Sequence, residues 1–98
     1  MSTAIAQTIL AQLGGGKFVA MTGAKCLAAG QDYLSFRIPR SKDGVNYVKI
    51  KLTLMDMYEV EFGKIRGVDY RVVKTSEMIY NDCLRECFED ATGLRTSL

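Results

Sequence analysis

From Asn46 to Phe62 the chain reads NYVKIKLTLMDMYEVEF, and apolar and polar side chains alternate through both halves of that stretch. Val48, Ile50 and Leu52 alternate with Tyr47, Lys49 and Lys51; Tyr58, Val60 and Phe62 alternate with Glu59 and Glu61. A period of two, rich in β-branched and aromatic residues, predicts two half-buried strands joined as a hairpin. With Thr53 facing Met57, Lys51 falls opposite Glu59 and Lys49 opposite Glu61, while Leu52 meets Tyr58, Ile50 meets Val60 and Val48 meets Phe62. One face is then apolar and the other a ladder of opposite charges. A slip of one residue would turn the lysines into the core, so the pattern specifies its own register.

The tip of this hairpin is unusual. Turns favour Gly, Asn, Asp or Pro because those residues reach the required backbone angles, yet here the chain reads Leu54-Met55-Asp56-Met57. Either these side chains fold over the end of the core, or they contact another protein. Flexible methionines beside leucine suit the second role, so Leu54, Met55 and Met57 are the expected partner-binding residues.

Outside the hairpin the pattern predicts a helix capped by Ser2 or Thr3, with Ile5, Ile9 and Leu13 on one face and Leu10 beside them. Gly14 to Gly16 ends it. Phe18 to Met21 reads as a strand, Thr22-Gly23-Ala24 as a turn, and Lys25 to Ala29 as a short edge strand. Tyr33 to Ile38 alternates again and stops at Pro39, which cannot donate to a ladder. Gly63 suggests a bulge, Arg66-Gly67-Val68-Asp69 a turn, and Tyr70 to Lys74 a last strand. A second helix then opens at Thr75 or Ser76, carries Tyr80, Cys83, Leu84, Cys87, Phe88 and Ala91 at helical spacing, and ends at Gly93.

These elements assemble most economically as an α+β fold: a single antiparallel meander drawing four to five strands from these segments. An N-terminal and a C-terminal helix would pack on its one apolar face. The other face is open to solvent or a partner. Ninety-eight residues form one domain with one modest core. The formal net charge is +2, weaker than a dedicated duplex binder shows and far from the acidity of a DNA mimic. No stretch approaches membrane-spanning length and no secretory leader opens the chain. The three cysteines therefore read as reduced thiols in a cytoplasm.

The words QLGGGKFVAMTGAK (Gln12–Lys25), GVNYVKI (Gly44–Ile50), YEVEFGKIRG (Tyr58–Gly67) and ATGLRTSL (Ala91–Leu98) resemble a family of small uncharacterised proteins of phages, prophages and mobile elements. The resemblance covers nearly the whole chain. It implies a phage-linked origin and action inside a bacterial cell, and carries no mechanism or functional residue with it.

Candidate chemistry is sparse. Gly-Gly-Gly-Lys17 is no phosphate-binding loop: the glycine spacing differs, no Ser or Thr follows the lysine, and the order is helix then strand. Cys83 and Cys87 lie four apart, as two ligands on one helix face would, but the chain has no histidine and these thiols fall within the apolar stripe, so core packing is the expectation. With no histidine, no Ser or Cys has its commonest activator; neither catalytic residues, metal nor cofactor is expected. The open sheet face brings Tyr33, Ser35 and Arg37 beside Tyr47, Lys49 and Lys51, with Arg40 and Lys42 in the adjoining loop. Aromatics among cations suit single-stranded nucleic acid, although Glu59 and Glu61 offset the two lysines. The expected function is thus a non-enzymatic phage-type binding protein contacting a host or phage protein, as an inhibitor or modulator of a host defence or host factor. Single-stranded nucleic-acid binding on the open face is the alternative, and a homodimer remains open.

Overall fold

The hairpin stands at the centre of the sheet, in the register its alternation requires. The structure is a computed structural model that describes residues 4–39, 44–53, 57–80 and 83–94. It comprises α1 (Ala4–Leu13), α2 (Gly16–Thr22), β1 (Lys25–Ala29), β2 (Tyr33–Arg37), β3 (Tyr47–Leu52), β4 (Tyr58–Arg66), β5 (Asp69–Ile79) and α3 (Leu84–Thr92). The five strands form one antiparallel sheet in the order β1-β2-β3-β4-β5, a meander with helices at both ends of the chain. Between β3 and β4 the partners are Leu52–Tyr58, Lys51–Glu59, Ile50–Val60, Lys49–Glu61 and Val48–Phe62. The Thr53 amide closes the ladder on the Met57 carbonyl at 2.8 Å.

One face of the sheet is the core. Leu34, Phe36, Val48, Ile50, Val60 and Phe62 are buried on it, against Ile9 and Leu13 of α1, Phe18 of α2, and Leu84 and Phe88 of α3. Phe18 meets both Phe36 and Phe88 edge-on, at 5.2 Å between ring centres. Three elements distant in sequence thus join at one aromatic cluster. Each such ring contributes roughly 1.5–3 kcal/mol by leaving water. The Tyr58 hydroxyl donates to Gln12 Oε1 at 2.6 Å and fastens α1 to β4. Burial raises the pKa of its phenol and the Gln12 bond partly opposes that rise.

Three expectations are corrected. Phe18 to Met21 is not a strand but part of the short helix α2. Four residues cannot separate a period of two from one of 3.6, and here Gly15 (φ 61°) and Gly23 (φ 70°) bracket a helical turn that buries Phe18 and Thr22, four apart. The last strand does not stop at Lys74 but runs to Ile79. Its register slips twice against β4, between Tyr58 and Val60 and between Phe62 and Gly63, so its alternation is broken where a strict period is sought. The C-terminal helix consequently starts at Leu84 rather than Thr75, leaving Tyr80 58% exposed outside it. Its end is as expected: Gly93 takes φ 73° and its amide reaches the Glu89 carbonyl at 2.8 Å.

β4 outruns β3. Pairing between them ends at Tyr47–Gly63, whereas β4 and β5 continue together through Lys64–Arg71, Ile65–Tyr70 and Arg66–Asp69. Asn46 supports the overhang by acting as a strand residue with its side chain. Its amide Nδ2 donates to the Ile65 carbonyl at 2.9 Å, and its Oδ1 accepts the Ile65 amide at 2.7 Å. Beyond that point the chain is a two-stranded ribbon closed at Gly67-Val68, with Gly67 at φ 63°. Glycine first, with positive φ, is what a tight two-residue hairpin turn requires.

Candidate functional site

The open face carries the groups its alternation predicts. Tyr33 lies opposite Lys51, Ser35 opposite Lys49 and Arg37 opposite Tyr47, so these six share one side of the sheet with Glu59 and Glu61. Tyr33, Tyr47, Lys49 and Glu61 are engaged in contacts on this face. The Lys49 ammonium sits 4.7 Å from the centre of the Tyr33 ring, and that ring lies over Gly30, where a Cβ would collide with it. Tyr70 lies over Gly63 in the same way, its ring centre 5.3 Å from that of Tyr47 in an edge-on arrangement and its hydroxyl donating to Glu61 at 2.6 Å. The two rings cover glycines, one in the β1–β2 connection and one within β4, that have no side chain of their own to pack. Burial, then the Glu61 hydrogen bond and the negative charge behind it, push the Tyr70 phenol well above its ordinary range. The folded state therefore favours the neutral phenol: its contribution to stability is complete below the unfolded value near pH 10 and declines as pH rises beyond it.

Lys49, Lys51, Glu59, Glu61, Thr75 and Glu77 surround a depression of about 160 Å³ on this face. Three carboxylates against two ammonium groups leave it without a net positive field. Ser35 is only 6% exposed, so the face is less open than alternation alone implies. Arg40 and Lys42, expected beside it, lie outside the described residues.

The apolar hairpin tip falls in the same category. Leu54 and Met55 lie outside the described residues, and Met57 is half-buried. Cys83 is exposed at the start of α3 and Cys87 half-buried, which corrects the expectation that both pack within the apolar stripe: the helix begins too late for Cys83 to be on it. The two thiols, with Lys74, Ser76, Ile79, Glu86 and Asp90, border a depression of about 300 Å³ between β5 and α3. Among the described residues no three His, Cys, Asp or Glu side chains are grouped to hold a metal ion. No helix among them is long and apolar enough to cross a membrane.

The surface that sequence reading missed is β5 with its flanks. Val68 is fully exposed, Met78 and Tyr80 are more than half exposed, and Tyr70, Val72 and Val73 are 39–47% exposed. Of the described residues only Met21 and Leu27 are other large apolar side chains exposed to a similar degree. The signal was present as Val72-Val73, two adjacent apolar residues that a strand buried on one side would not carry. No family model, characterised protein or solved structure matches this chain.

Proposed function

We propose that this chain is a non-enzymatic binding protein that works by protein–protein contact, with β5 and its flanks as the contact surface. The observation that carries this reading is the concentration of exposed apolar side chains from Val68 to Tyr80 on one edge of the sheet. Contiguous exposed apolar surface on an otherwise well-packed small domain marks an interaction site. β5 also has two register slips and Lys74 along its length, devices that discourage strand-to-strand association. Side chains, rather than the backbone edge, therefore make the contact. A chain without a single histidine fits binding better than acid–base catalysis. The likeness of its sequence to phage and mobile-element proteins makes a host factor or a component of host defence the partner class, met in the bacterial cytoplasm.

The test is capture from nuclease-treated bacterial lysate by the wild-type chain and by the double variant Val72→Asp/Val73→Asp. Because both side chains are already substantially exposed, the variant should melt within a few degrees of wild type and lose its partner. Undiminished capture by the folded variant would remove β5 from the interface.

A further inference from the structure

The end of the β4–β5 ribbon has a second character on its other side. Side chains opposite one another in a ladder share a face, and Lys64 is paired with Arg71 and Arg66 with Asp69. All four lie on the side of Phe62 and border a depression of about 210 Å³. Ile65 and Tyr70 occupy the reverse side. The three cations and one carboxylate account for the whole formal net charge of +2. The other charges of the chain sum to zero, and the ribbon end is a local excess of positive charge.

We infer that this ribbon binds duplex DNA by entering the major groove, with Lys64, Arg66 and Arg71 on the phosphates. Charge complementarity selects a polyanion, and the shape narrows it. A two-stranded ribbon is of a size the B-form major groove admits, whereas the A-form RNA groove is too narrow for side chains to read. The overhang past Tyr47 leaves the ribbon free of a third strand, and Asn46 holds its base in line with the sheet. Gly67 and the fully exposed Val68 form a slim tip without a charge of its own. Asp69 opposes binding and limits its strength. The inference does not rest on the protein contact proposed for β5, although Val68 at the ribbon tip belongs to both surfaces.

The experiment is a titration of the full chain against a fluorescent 20-base-pair DNA duplex between 50 and 200 mM salt, beside an RNA duplex of the same sequence. Three phosphate contacts predict roughly 40-fold weakening across that range. Arg66→Gln and Arg71→Gln should each reduce the salt effect to roughly 12-fold, and Asp69→Asn should tighten binding. Lys49→Gln, on the open face, should change nothing. Should Arg71→Gln unfold the ribbon, Arg66→Gln at its exposed end decides the matter alone. The inference is overturned by absence of salt-dependent DNA binding, by equal affinity for the RNA duplex, or by loss of binding through Lys49 rather than the ribbon cations. It is likewise overturned if the cations prove necessary only for capture of an acidic protein partner.

Discussion

β4 has two neighbours, and they treat it differently. Toward β3 it runs through six successive pairs without a slip, apolar against apolar and lysine against glutamate. Toward β5 the register shifts twice, a non-glycine residue, Met78, adopts φ 57°, and nearly every β5 residue is exposed. The difference lies in what covers them. β3 has the helices on one face, and a buried face tolerates only one register. β5 runs along the outside, so packing does not enforce alternation there. A strand released from the core can arrange its side chains for another purpose, and its apolar residues are the ones that lack an internal explanation.

The comparison breaks most visibly in the core. Phe36→Ala, which removes a ring packed against both α2 and α3, should cost about 3–5 kcal/mol. Val72→Ala on β5 should cost under about 1 kcal/mol, because little surface leaves water there. Urea unfolding of the two variants checks the ratio. A Val72→Ala cost approaching that of Phe36→Ala would mean that β5 belongs to the core and would dissolve the distinction.

Sharpening it further requires a residue shared by both regions. Gly63 is the last β4 residue paired to β3 and the seat of the Tyr70 ring from β5. Gly63→Ala would place a methyl group within that ring. Its backbone angle is not left-handed, so the penalty is crowding rather than strain and should be about 1–3 kcal/mol. In the double variant Gly63→Ala/Tyr70→Ala the crowding disappears, and the pair should be no less stable than Tyr70→Ala alone. A cost that persists in the double variant would show that the glycine serves the backbone and not the tyrosine.

The same contrast explains what could be read from the sequence. The β3–β4 register, the charge ladder, the β2 alternation and the Gly93 stop were legible because a buried face or a backbone angle constrains the residue at each position. β5 beyond Lys74 was not, since Val72-Val73 and Met78 disrupt the period that marks a strand, and Thr75-Ser76 then imitates a helix cap. The segment Phe18–Met21 was too short for its period to be measured, and its helical state depends on where Phe18 finds Phe36 and Phe88. As for the candidate surface, alternation placed Tyr33, Arg37, Tyr47, Lys49 and Lys51 together correctly. It could not reveal that Tyr70 settles on Gly63 and Lys49 on Tyr33, because those contacts join residues of different strands. The ribbon cations escaped notice for a related reason: Lys64, Arg66 and Arg71 become neighbours only once the tight Gly67-Val68 turn sets Lys64 opposite Arg71.

The smallest expected effect belongs to the most regular feature. Lys49 faces Glu61 across the ladder, and Lys49→Glu places two carboxylates opposite each other on a partly solvated face. Exposed pairs of this kind contribute about 1 kcal/mol or less, so the variant should lose no more than that, and less at high salt. Lys49 also rests over Tyr33 while Glu61 holds the Tyr70 hydroxyl, so the restoring exchange Glu61→Lys should return only part of the loss. The ladder alone would give full recovery in the swapped pair, whereas the two tyrosine contacts cannot be satisfied with the charges reversed. Chemical denaturation of both singles and the double measures that shortfall. Complete recovery would mean that the tyrosines contribute nothing to the open face, and its aromatic rings would then be available to a ligand after all.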